Sequence, residues 1–212
     1  MRDMDTKELA SFEAMRDPLI AFHGTGTLYS CGIERDGWKI GKRPFAGDVI
    51  ERLLGIARAR PNGHALVPYA FVSHNLAKFR ESLHLGASFS PRIWNASIWA
   101  NTKIGETPKY ALELAAELLD MANRGVVTLQ ALDLEFVVGF VADWSQAISE
   151  SRSVIYIVRS NAEHFGPSFV EAYARWMEAS PERRLKHMPH GGRERRLFLD
   201  LGPEFIIGRC EL

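Results

Sequence analysis

The stretch LIAFHGTGTLY, residues 19–29, decides how the rest of the chain is read. It opens on four apolar residues with no helical spacing, which predicts a buried strand over 19–24 that ends in a glycine turn. His23 closes that strand, and Gly24 and Gly26 let the backbone come close to another group. A G-x-G-x-x-G dinucleotide fingerprint would need a third glycine at position 29, where the chain has Tyr29, so that fold is excluded at the motif itself. Taken alone, the stretch is equally a strand-end histidine bonded to a nearby carbonyl, followed by turn glycines.

On the N-terminal side, residues 5–16 carry Leu9, Phe12 and Met15 at helical spacing, and Asp17-Pro18 stops the run. On the other side a looser polar segment is expected through Asp36-Gly37-Trp38. A helix over 46–60 follows, its apolar face marked by Val49, Leu53, Leu54 and Ile56 and its end by Pro61-Asn62-Gly63. Residues 65–82 are expected to hold a short strand and then a helix. LGASFS, residues 85–90, predicts a strand that delivers the chain into a helix starting near Pro91 and carrying Ile93, Trp94, Ile98 and Trp99. A second helix spans 108–123, and residues 126–148 are apolar without a clean period, leaving strand and helix both open. SVIYIVRS, residues 153–160, predicts a central strand, 169–177 a helix, and RRLFLDL and EFIIGRCEL two strand-like runs joined across Gly202-Pro203. Strands scattered among helices without regular alternation predict one α+β domain over 1–212.

Composition narrows the class without naming a function. The 212 residues are 46% hydrophobic, 25% charged and 10% aromatic, which excludes disordered, collagen-like and coiled-coil chains. Lys+Arg of 26 against Asp+Glu of 26 gives zero formal net charge, so the long-range field of a general DNA-coating protein is missing. Cys31 and Cys210 are too far apart in sequence for a metal clip and are expected as reduced, semi-buried thiols. The charged N-terminus and the lack of a long apolar run predict a cytoplasmic location and no membrane partner.

Three segments, in order, resemble the signatures of the ADP-ribosyltransferase superfamily, in its diphtheria-toxin-like and poly(ADP-ribose) polymerase-like branch. They are His23-Gly24-Thr25, the run from Gly86 to Trp99, and Glu204 with the residues after it. The resemblance implies a single domain with a split, mostly antiparallel sheet flanked by helices. It implies NAD+ as co-substrate, without a metal. His23 would bind the adenosine-side ribose hydroxyls, the Gly24 backbone would hold the nicotinamide amide, and Thr25 matches the small hydroxyl residue that follows. In the middle segment Gly86, Ala87, Phe89 and Ser90 match, Ala96 and Ser97 fall on the small residues, and Trp99 falls on the aromatic that stacks on nicotinamide. Ser88 stands where the family has a tyrosine, and Tyr29 or Trp94 is the substitute. Glu204 would bond the 2'-hydroxyl of the nicotinamide ribose and steady the charge that develops as nicotinamide leaves. A carboxylate at a developing positive centre helps only in the transition state. Glu194, Glu211 and Glu171 are the rival carboxylates.

Residues 181–196, PERRLKHMPHGGRERR, form a basic cluster just before Glu204, with Arg193, Arg195 and Arg196 the candidate acceptor-binding residues. A solvated loop with surface ion pairs accounts for the cluster equally well. The functional alternative is a phosphate-bearing acceptor, RNA, DNA or a nucleotide-bearing protein. The histidines make no metal-binding pair and no G-x-S-x-G elbow surrounds a serine. The expectation is an enzyme that transfers ADP-ribose from NAD+ to a macromolecule, as a toxin or effector with a neutralising antitoxin or immunity partner. The alternatives are a non-catalytic NAD+, ADP-ribose or RNA binding module and an NAD+-dependent RNA 2'-phosphotransferase.

Overall fold

The computed structural model describes residues 1–39, 47–60, 62–81, 87–103, 106–189 and 195–212. In chain order the elements are β1 (Arg2–Asp3), α1 (Thr6–Ala14), β2 (Ile20–Gly26), α2 (Ser30–Asp36), α3 (Gly47–Arg58), α4 (Val67–Glu81), β3 (Ser88–Phe89) and α5 (Ile93–Thr102). Then come α6 (Glu106–Asn123), α7 (Ala131–Glu150), β4 (Ser153–Arg159), α8 (Pro167–Glu178), α9 (Pro181–Lys186), β5 (Arg195–Arg196) and β6 (Ile206–Glu211). They form two compact units. One, holding the strands, comprises Met1–Lys42, Leu83–Lys103 and Arg152–Leu212; the other, all helical, comprises Arg43–Ser82 and Ile104–Ser151.

The strand-bearing unit is α+β, with a mixed four-stranded sheet in the order β1-β6-β4-β2. β2 runs antiparallel to β4, from Ile20 opposite Arg159 to Gly26 opposite Ser153. β4 is antiparallel to β6, and β1 is parallel to β6. A strand side chain alternates between faces, and here the alternation separates two cores. Ile20, Phe22, Ile155 and Ile157 lie on one face with Leu9, Ala96 and Ala100 from α1 and α5. Ala21, Val154, Tyr156 and Val158 lie on the other with Ile33, Trp38, Phe89, Phe165 and Phe169. A second, two-stranded sheet pairs β3 with β5. Among the described residues the two sheets meet through one bridge, Phe22 N to Ser90 O at 2.7 Å and Ser90 N to Phe22 O at 2.9 Å.

Beside the His23 site, close approach dictates glycine at positions 24 and 37. A Cβ on Gly24 would land on the Ala96 carbonyl oxygen and lie 2.7 Å from the Ala100 amide, so α5 presses on β2 only because residue 24 has no side chain. Gly37 ends α2 at φ +69°, a conformation that favours glycine, and a Cβ there would land on the Leu201 carbonyl.

The helical unit has its own core, in which Leu53, Ala57, Val72, Leu114, Leu118 and Val137 are fully buried. Residues 126–148, open in the sequence, fall mainly in α7. Leu132, Leu134 and Val138 are exposed on it, and these outward apolar residues blur the helical period. Among the described residues the short strand expected to open residues 65–82 is missing: Gly63–Ala65 is a 3-10 turn and α4 begins at Val67. The looser polar segment after His23 is instead more strand, a 3-10 turn at Thr27–Tyr29 and helix α2. Of RRLFLDL only the two arginines form a strand, and they pair with β3 rather than with the run that follows.

Gly24→Ala is expected to destabilise the fold by about 3 kcal/mol or more, because the obstacle is backbone that has no rotamer to yield. Urea unfolding at neutral pH measures it, and an unchanged midpoint would overturn the packing argument.

Candidate functional site

His23 is half-buried at the middle of β2, next to the Phe22–Ser90 bridge where the two sheets part. Its Nδ1 lies 2.9 Å from the Ser88 carbonyl oxygen of β3. A carbonyl only accepts, so Nδ1 carries the proton and Nε2 is left as a bare acceptor. The ring is enclosed by Trp38 edge-on at 5.3 Å and by Phe89 at 5.2 Å, centroid to centroid. Burial pulls the His23 pKa down to about 4, a drop that the Ser88 hydrogen bond partly opposes. The ring is therefore neutral at physiological pH, an acceptor rather than a cation.

The Gly24 backbone faces the same place. Phe22 exchanges both its bonds with Ser90, on the outer edge of β2. Bonding direction alternates along a strand, so the Gly24 N–H and C=O also point outward, beyond the bridge, while Thr27 N turns inward to Arg152 O at 2.9 Å. Thr25 is buried at the end of the strand. Tyr29 follows in a 3-10 turn, half-buried against the His23-face core, and burial pushes its phenol pKa up.

Trp38 is the residue that sequence reasoning missed. Its backbone is tied to Leu201 by bonds of 2.8 and 2.9 Å, and its indole packs against His23, Phe89 and Tyr156. The helix-ending Gly37 immediately before it was the available signal, but the partner strand-like segment lies far along the chain. Tyr156, opposite His23 on β4, donates to Glu34 Oε1 at 3.0 Å, and Arg209 Nη1 donates to the same oxygen at 2.6 Å. Burial pushes the Tyr156 phenol up to about 12. The arrangement clamps α2 to β4 and β6 beneath the site.

Glu204 is exposed in a 3-10 turn, Pro203–Phe205, immediately before β6, and its carboxylate folds back over Gly202. Phe205 anchors the turn against the His164 ring at 4.6 Å. Strand β4 lies between β6 and β2, and the register places Glu204 about 15 Å from His23 along and across the sheet. Trp38 packs on the His23 ring and is bonded through its backbone to Leu201, three residues before Glu204.

The remaining residues divide. Ser88 contributes its backbone carbonyl to His23. Trp99 is half-buried on α5, which packs on the face of β2 opposite His23, and Trp94 on the same helix is 71% exposed. Arg196 is exposed on β5, Arg195 is buried, and Gly86, Arg193 and Glu194 lie outside the described residues. The basic segment 181–186 is helix α9, not loop, with Arg183 and Lys186 exposed and Arg184 bonded to Ala179 O. Cys31 is exposed and Cys210 buried, both as free thiols. Among the described residues no His/Cys/Asp/Glu group could hold a metal ion, and no helix is long and apolar enough to cross a membrane.

No protein-family model, curated protein or solved structure matches the chain.

The sign of the His23 shift fixes a pH dependence. Above pH 6.5 the ring is neutral both folded and unfolded; from there down to about 4 the unfolded chain takes up a proton that the folded chain refuses. Stability therefore falls with pH across that window, by up to about 3 kcal/mol. His23→Asn, whose amide keeps a donor near Ser88, is expected to flatten this slope by about one proton in unfolding measured from pH 7 to pH 4. A slope identical to the wild type would remove His23 as its source.

Proposed function

We propose that the chain is an ADP-ribosyltransferase, that its split sheet is the architecture of that superfamily, and that NAD+ lies along the outer edge of β2. The observation that carries this reading is the neutral His23 at the parting of the sheets. With Nδ1–H held by Ser88, its Nε2 is fixed as an acceptor for a sugar hydroxyl. The Gly24 N–H and C=O, on the same edge, match the donor and acceptor of a carboxamide.

NAD+ is a substrate here. His23 Nε2 accepts from a hydroxyl of the adenosine ribose, and the Gly24 backbone holds the nicotinamide amide. The Glu204 carboxylate bonds the 2'-hydroxyl of the other ribose, a role that rests on the resemblance and requires the Pro203–Phe205 turn to move toward Gly24. The bond from the anomeric carbon to the nicotinamide nitrogen breaks, and its electron pair leaves with nicotinamide. The carboxylate steadies the positive charge left on the sugar. An acceptor oxygen or nitrogen attacks from the opposite face and loses its proton to solvent. Arg183, Lys186 and Arg196 supply exposed positive charge for a phosphate-bearing acceptor, and nucleic acid is the acceptor class they favour.

A non-catalytic NAD+ or ADP-ribose binder is the second reading. It is favoured by Ser88 in the tyrosine's place and by the Glu204 carboxylate folded over its own turn.

Nicotinamide release and transfer of labelled ADP-ribose to RNA, DNA and protein test both readings. Glu204→Gln is expected to lower release about 100- to 1000-fold while NAD+ binding stays within a few-fold. His23→Ala is expected to lose binding. Equal labelling by the wild type and Glu204→Ala would remove Glu204 from the mechanism. NAD+-dependent thermal stabilisation with no release would establish the binder instead.

A further inference from the structure

Arg195 is 4% exposed, an uncommon place for a charge. One Nη1 N–H donates to the Pro18 carbonyl at 2.6 Å, and the guanidinium carbon lies 4.5 Å from the Phe169 ring centroid and 5.5 Å from that of Phe165. Nε and Nη2 are buried with no hydrogen-bond partner. Burial pulls the pKa down to about 10, the Asp17 charge opposing part of the drop. A buried cation with unmatched donors is commonly no more stable than a well-packed apolar side chain of similar volume. Folding stability therefore does not explain the residue, whereas its position does.

The Arg195 main chain pairs with Phe89 across β5 and β3. Phe89 packs on the His23 ring, and its neighbour Ser88 supplies the carbonyl that receives Nδ1–H. Pro18, which takes the guanidinium, lies just before β2, the strand that carries His23. The side chain thus closes a loop of contacts from the start of β2, through β5 and β3, back to His23. Among the described residues the Phe22–Ser90 bridge is the only strand pairing that joins the two sheets.

We propose that Arg195 is a positioning residue for the His23 site, setting the small sheet against β2 so that Ser88 holds Nδ1–H and Nε2 faces the ligand. The ligand side of this statement rests on the function proposed above; the effect on His23 does not.

The test uses Arg195→Met and Arg195→Lys in the full chain with 15N-labelled histidine, the His23 signals being assigned by their loss in His23→Asn. Arg195→Met is expected to melt at or above the wild-type temperature. Its His23 signals should move from the single Nδ1–H tautomer to a mixture, and kcat/KM for nicotinamide release should fall at least tenfold. Arg195→Lys should recover part of both. Unchanged His23 signals in Arg195→Met, or a variant that fails to fold, would overturn the proposal and leave Arg195 a structural cation. If the wild type releases no nicotinamide, the proposed function falls, and the imidazole signals still decide whether Arg195 positions His23.

Discussion

The hydrogen bond from His23 Nδ1 to the Ser88 carbonyl does two things at once, and the site depends on both. It ties the small sheet to the edge of the large one and it selects the tautomer, while burial keeps the ring neutral against the bond's own pull on the proton. A charged imidazole would have to be desolvated between Trp38 and Phe89, and burial outweighs the carbonyl's pull on the proton. The electrostatic character of the site is therefore set by exclusion of water more than by any neighbouring charge.

Much of the fold was legible from local pattern. The strand through His23 and the β-branched run at 153–159 are short apolar runs buried almost throughout, and the helix at 106–123 buries one face at the helical period. Helix α2 was not, because Ser30, Cys31 and Gly32 are weak helix formers and the apolar contribution is confined to Ile33. Trp38 was missed for another reason: Gly37 marks only a helix end beside it, and its role comes from bonds to Leu201 and rings drawn from three other segments. The motif residues His23, Gly24 and Ser88 fall together at the parting of the sheets, while Glu204 stands apart from them across β4. That separation depends on strand order and on a register shift at Ile157–Val158, which no local spacing encodes.

Zero net charge hides an uneven division of labour among the cations. Arg195 and Arg184 bond backbone carbonyls and lie near aromatic rings, and Arg209 joins Asp3, Glu34 and the Tyr156 network. Arg183, Lys186 and Arg196 remain exposed. A basic run counted by residue type overstates the charge it offers to a ligand, since half-buried arginines serve the fold through their stems and planar faces.

The placement of the helical unit between β2 and β4 also has a temporal side. At the pace of protein synthesis, β2 leaves the ribosome roughly 6–25 s before its partner β4, about 130 residues later. Helices α3, α4, α6 and α7 are all complete before β4 begins, and their contacts close within the intervening stretch. The apolar edge of β2 waits unpaired through that interval, and its exposure to other nascent chains ends only when residues 153–159 arrive.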